Sequence, residues 1–202
     1  MIDALLRSAY APAATTVGRW LHRRSVRPAQ LTVAGLLLGL GAAAAAAVGL
    51  WLVALAALLV SRVFDGLDGA VARLERTSAA GAFADLVADF VVYSGFVVAI
   101  VIRVPDARLA SVVLLAAYCV SVTAFLSWGS LTANSARGGG LEIADDRTVR
   151  FVSGLAEGFE TIVAYSLVCL LPQHATTILW IFAGMVWFTA AQRTVFGLRE
   201  LS

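Results

Sequence analysis

Long apolar runs separated by short polar breaks set the plan of this chain. Leu31 to Phe64 is apolar almost throughout, with Gly49 near its middle. One crossing of a bilayer takes about twenty residues, so this run predicts two spans. The first covers Leu31 to about Val48, Gly49 makes a tight turn, and the second covers Leu50 to about Phe64. The second helix is expected to continue through Asp65 to about Arg73 and to leave the membrane there. Gly81 to about Ile102 predicts a third span and Leu109 to about Ala133 a fourth, joined by the short connection that holds Arg103, Pro105, Asp106 and Arg108. Asn134 to Arg150 is the longest polar loop. Phe151 to Leu171, closed by Pro172, predicts a fifth span, and Thr176 to about Thr194 a sixth.

Ahead of the spans, Met1 to Pro28 mixes apolar contacts (Leu5, Leu6, Tyr10, Val17, Trp20, Leu21) with Arg7, Arg19, Arg23, Arg24 and Arg27. A basic amphipathic segment of this kind lies on the headgroup surface and favours anionic lipid. Pro12 is expected to break it into two pieces. The amino terminus does not have the pattern of a signal peptide, because the first long apolar run starts only after about thirty residues. The chain thus reads as an all-α integral membrane protein. It divides into a juxtamembrane segment, residues 1–28, and a six-helix membrane domain, residues 29–202.

Composition strengthens this picture. The 202 residues are 60% hydrophobic and only 14% charged, against about 25% charged in soluble domains. Mean hydropathy is +0.88. Every one of the 15 basic residues is Arg. Nothing in this pattern marks a nucleic-acid partner. Cys119 and Cys169 both lie in apolar runs and provide no disulfide framework or zinc spacing. His22 and His174 fall outside the main apolar runs and far from each other, as solvated or interfacial residues do.

Charge also orients the chain. Six spans put both termini on one side. That side holds the amino-terminal arginines, Arg73, Arg76, Arg137, Arg147, Arg150, Arg193 and Arg199; the other holds only Arg103 and Arg108. The positive-inside rule makes the richer side cytoplasmic, with the loop between Arg73 and Gly81 on it. The expected location is the plasma membrane of a prokaryote. Small residues at Gly35, Gly39, Gly41, Gly81 and Gly95 allow close helix packing. Gly35-x3-Gly39 is a weak dimerisation signal, and packing inside the bundle is its commoner use.

Against this apolar background four carboxylates stand out. Asp65 and Asp68 are three residues apart, and Asp85 and Asp89 are four apart. On helices each pair shares a face, so two facing helices could bring all four together. Their formal charge of about −4 would be neutralised by two divalent cations, and oxygen-only ligands suit Mg²⁺ or Mn²⁺. Unpaired, such charges in or near lipid would each cost several kcal/mol. Gly69 and Gly81 let a bulky ligand approach the backbone, and Arg73 offers a guanidinium to phosphate oxygens. Together these features point to a substrate that carries a diphosphate.

The stretch Asp65-x2-Asp68-Gly69-x2-Ala72-Arg73, a spacer, then Gly81-x3-Asp85-x3-Asp89 resembles the signature of the CDP-alcohol phosphotransferase family. Every fixed residue is present. The spacer, Leu74 to Ala80, holds seven residues where eight are expected. The resemblance implies a six-span fold, homodimers, and attack of an acceptor hydroxyl on the lipid-linked phosphate of a CDP-lipid such as CDP-diacylglycerol, with CMP leaving. It implies that Asp65, Asp68 and Asp85 ligate two metal ions, Mg²⁺ or Mn²⁺. Asp89 would act as a further ligand or as the general base. Gly69, Ala72, Arg73 and Gly81, with Asp68, would line the CDP pocket. Pro28-Ala29-Gln30-Leu31-Thr32 resembles the family's Pro-Asn-x-x-Thr entry with Ala29 in place of Asn, so Thr32 is either a nucleotide contact or a helix-start residue.

The acceptor is less defined. Arg137, Arg147 and Arg150 would hold a phosphate on a polyol phosphate, such as glycerol 3-phosphate or inositol phosphate, or would bind anionic headgroups. Glu157 and Glu160, three apart in the fifth span, would face acceptor hydroxyls or pair with Arg150 or Arg193. Arg62, one turn before Asp65, is either a counter-ion or a snorkelling residue. Two other readings compete: an intramembrane prenyltransferase, which lacks the Asp-Gly-x2-Ala-Arg block, and a divalent-cation transporter, which would hold its acids near the bilayer midplane.

Overall fold

In the computed structural model the described residues, 2–75, 78–135 and 158–201, form helices and short turns, with no strand among them. Among the described residues there are seven helices: α1 (Ile2–Arg23), α2 (Pro28–Ala47), α3 (Trp51–Ala72), α4 (Ala79–Arg103), α5 (Arg108–Ser135), α6 (Gly158–Leu170) and α7 (Ala175–Leu201). Single 3-10 turns at Pro105–Ala107 and Pro172–His174 join α4 to α5 and α6 to α7. In each, a proline that cannot extend the preceding helix starts the turn.

Among the described residues, four stretches are long and apolar enough to cross a membrane: Pro28–Ala47, Ala79–Arg103, Pro105–Leu131 and Pro172–Glu200. Helix α3 has the length, but Arg62, Asp65 and Asp68 interrupt its apolar run. The described part of α6 has 13 residues, and the residues before it, Glu157 included, lie outside those described. What faces outward identifies the solvent. Leu37, Leu52, Ile102, Leu109 and Ile181 are each more than 60% exposed. On α2 small residues face inward, with Gly35, Gly39, Ala42 and Ala46 buried along one face, while Phe96, Tyr165 and Leu58 fill the interior farther along the bundle. Large apolar side chains exposed on the outside, with small residues where α2 meets its neighbours closely, suit a bundle in lipid. The chain is an integral membrane protein.

Helix α2 packs along both α3 and α4, and α5 packs along α7. The first contact depends on missing side chains. A Cβ at Gly39 would stand 2.4 Å from Val92 Cγ2, and one at Gly35 would stand 3.3 Å from the Ser61 carbonyl oxygen. The Gly-x3-Gly pair thus serves packing inside the bundle. Gly49 takes φ +83° and makes the turn between α2 and α3, a backbone conformation glycine adopts without steric cost.

Two sequence expectations are corrected. Pro12 does not divide the amino-terminal segment; α1 runs through it. The lost hydrogen bond is offset by docking of the second half of α1 on α3. There Gly18 is buried, with the Cβ it lacks placed 3.1 Å from Ala70 Cβ, and His22 Nδ1 lies 3.3 Å from Glu75 Oε1. Gly81 does not open its helix. Helix α4 starts at Ala79 with Ser78 as its cap, and the Gly81 N–H donates to Ser78 Oγ at 3.0 Å. A serine side chain satisfies one of the N–H groups that a helix start leaves open.

Candidate metal and phosphate site

The acidic face of α3 and the acidic face of α4 meet. Carboxylate oxygens of Asp65, Asp68 and Asp85 lie within 4.8 Å of one another. Asp68 is buried and the other two are half-buried. Two details suit a cation at this point. Asp85 Oδ1 is buried with no hydrogen-bond partner, an arrangement that costs free energy unless something positive meets it. The donor set is oxygen only, which matches hard divalent ions.

Asp68 also has a hydrogen-bond donor. Thr32 Oγ1, near the start of α2, donates to Asp68 Oδ2 at 2.7 Å. Pro28 in the first turn and the Arg27 N–H, which donates to Gln30 Oε1 at 2.9 Å, fix that helix start. Thr32 is therefore more than a helix-start residue: it orients one of the acids.

Asp89, one turn beyond Asp85, takes a different partner. Arg62 Nη1 donates to Asp89 Oδ1 and stands 3.8 Å from Asp65 Oδ1. Arg62 is thus a counter-ion to these acids and not a snorkelling residue. Its Nη2 donates to Ser61 Oγ at 3.0 Å, and its guanidinium carbon lies 5.3 Å from the centre of the Tyr93 ring. The Tyr93 backbone carbonyl ends a chain of two tyrosine hydroxyls. Tyr118 donates to Tyr165 at 3.0 Å, and Tyr165 donates to the Tyr93 carbonyl at 2.9 Å. Ser61, Tyr93, Tyr118 and Tyr165 were not singled out from the sequence. Helical spacing could have found two of them, since Tyr93 is one turn past Asp89 and Ser61 is one turn before Asp65.

Around the acids, Gly69 and Ala72 are half-buried and Arg73 is exposed just past the end of α3. A Cβ on Gly69 would lie 3.4 Å from Arg73 Nη1, so this guanidinium folds back over the bare backbone beside Asp68. Gly81 is exposed in the first turn of α4. Arg137, Arg147, Arg150 and Glu157 lie outside the described residues. Glu160 is half-buried in the first turn of α6. That helix start abuts the acid cluster's surroundings, since a Cβ on Gly158 would stand 3.6 Å from the Tyr93 hydroxyl.

A membrane bundle that gathers carboxylates beside open backbone and an arginine has the groups to hold a cation and a phosphate side by side. The comparisons define the class. The chain matches the CDP-alcohol phosphatidyltransferase model over residues 25–196 and belongs to that family of phosphotransferase enzymes. It is 32% identical over 206 residues to the inner membrane protein YnjF of Escherichia coli (strain K12), covering 100% of this chain and 97% of that one. It shares its fold with the crystal structure of Mycobacterium tuberculosis phosphatidylinositol phosphate synthase (PgsA1) with CDP-DAG bound. The TM-score there is 0.68 at 19% identity, over 91% of this chain and 92% of the other.

Proposed function

We propose that this protein transfers a phosphatidyl group from CDP-diacylglycerol to a small hydroxyl acceptor and releases CMP. The convergence of Asp65, Asp68 and Asp85 within 4.8 Å carries this reading. Family membership and the CDP-DAG bound in the PgsA1 structure support it. A divalent cation, Mg²⁺ or Mn²⁺, held by these three carboxylates would offset charge on the diphosphate and on the leaving CMP.

The chain's own residues do the rest. Thr32 keeps Asp68 turned toward the other acids. Gly69, Ala72, Arg73 and Gly81 line the place for the CDP moiety, where Arg73 meets phosphate oxygens. Asp89 accepts the proton of the acceptor hydroxyl as its oxygen bonds to the lipid-linked phosphorus. The bond from that phosphorus to the CMP oxygen breaks, and CMP leaves as the free nucleotide.

The acceptor we favour is a polyol phosphate such as glycerol 3-phosphate or inositol phosphate. Arg137, Arg147 and Arg150 would meet its phosphate, and Glu157 and Glu160 its hydroxyls. In this proposal α3 and the helix ending at Leu170 complete six spans. Helix α1 lies on the cytoplasmic headgroup surface of a prokaryotic plasma membrane, where the half-exposed Trp20 and Val17 meet lipid. The site opens to the cytoplasm, and the protein works as a homodimer.

The test is CMP release from CDP-diacylglycerol by the purified chain, with Mg²⁺ or Mn²⁺, across glycerol 3-phosphate, inositol 1-phosphate, inositol, serine and choline. Stimulation by one acceptor names the product. Neither release nor binding of CDP-diacylglycerol, together with Mn²⁺ uptake into liposomes, would replace the transferase with a transporter.

A further inference from the structure

We propose that Arg62 is a built-in second cation of this site, so that the acid cluster takes up one divalent metal ion where four carboxylates alone would take two. The inference rests on the metal-centre reading above.

Geometry carries it. Arg62 Nη1 bonds Asp89 Oδ1 and lies 3.8 Å from Asp65 Oδ1. An ion shared by these two acids would have to sit about 2.1 Å from an oxygen of each. The guanidinium nitrogen already occupies the space between Asp65 Oδ1 and Asp89 Oδ1, and a guanidinium and a metal ion exclude each other there by size and by charge. Asp65, Asp68 and Asp85 keep oxygens free to converge on one ion elsewhere in the cluster.

The guanidinium is not placed by Asp89 alone. Ser61 Oγ accepts from Nη2 at 3.0 Å, and Ser61 in turn donates to the Gly35 carbonyl at 2.7 Å. The Tyr93 hydroxyl lies 3.4 Å from Nη1, and the ring face lies under the guanidinium carbon. The side chain is 9% exposed. Helices α3 and α4 thus hold Arg62 directly, and α2 steadies it through Ser61. Arginine keeps its charge at any working pH, so this cation, unlike a metal ion, cannot be lost to a chelator. Arg62 is a positioning residue: it holds Asp89 away from the metal and available to a hydroxyl proton.

The decisive measurement counts bound Mn²⁺ by electron paramagnetic resonance on the full-length protein in detergent, with and without CDP-diacylglycerol. The wild type is expected to hold one ion per chain in both cases. Arg62→Met is expected to hold two, and Arg62→Lys to return to one. Two ions in the wild type, or one in Arg62→Met, would overturn the role of Arg62 and leave the metal centre standing. No bound ion in the wild type would remove the metal centre and this inference together. The wild-type count decides between one and two ions without any variant.

Discussion

The Thr32 hydroxyl reaches Asp68 Oδ2 at 2.7 Å and ties the start of α2 to the acidic face of α3. This bond fixes the orientation of the Asp68 carboxylate within the cluster. Partners that orient a metal ligand are worth about 10- to 100-fold in metal affinity or activity when removed. Thr32→Val is expected to lower kcat/KM for CMP release by that factor, and Thr32→Ser to retain most of it. Equal activity in Thr32→Val and wild type would reduce the bond to a structural detail.

Asp68→Asn and Asp85→Asn each remove one of three converging carboxylates. Both variants are expected to fold, as judged by circular dichroism, and to release CMP more slowly by at least about 100-fold. Full activity in either would move the metal elsewhere.

Metal should also stabilise the fold, because it relieves repulsion among acids packed together. At an ion concentration of about 100 times Kd the gain is roughly 2.7 kcal/mol. Mn²⁺ is expected to raise the thermal midpoint of the wild type in detergent, EDTA to reverse the rise, and Asp85→Asn to show neither effect.

Asp89→Asn separates proton transfer from binding. General-base removal costs about 10²- to 10⁴-fold. The variant is expected to lose that much in kcat while it binds CDP-diacylglycerol as the wild type does. A loss confined to KM would assign Asp89 to substrate binding instead.

Gly39 and Gly41 make a matched pair of probes for packing. A Cβ at Gly39 would overlap Val92, whereas one at Gly41 meets nothing within 4 Å. Gly39→Ala is expected to destabilise the protein by about 1–3 kcal/mol, seen as a lower thermal midpoint, and Gly41→Ala to leave it unchanged. Equal midpoints would mean that α2 and α4 can separate at no cost.

Much of this was legible in the sequence because membrane helices advertise themselves by length and apolarity. The α2, α4 and α5 spans fell close to their observed bounds, and Gly49 marked its turn. The helical spacing of Asp65 with Asp68, and of Asp85 with Asp89, placed the acids on the faces that meet. What remained hidden depends on how helices rotate against one another. Spacing alone cannot say that Arg62 turns to Asp89 on another helix, or that Thr32 finds Asp68. Pro12 does not break α1 because tertiary contact, Gly18 docked on Ala70, overrides a local propensity that is all the sequence displays.

The tyrosine chain has a mechanical side. Through Tyr118, Tyr165 and the Tyr93 carbonyl, hydrogen bonds lash α5 and α6 to the middle of α4, and the Tyr165 ring stacks on Phe96 with centres 4.8 Å apart. Hinge motion between these helices would break buried bonds with no water to replace them. The acids on α4 therefore ride on a stiff post, and any compliance needed to admit the proposed lipid substrate has to come from elements outside it.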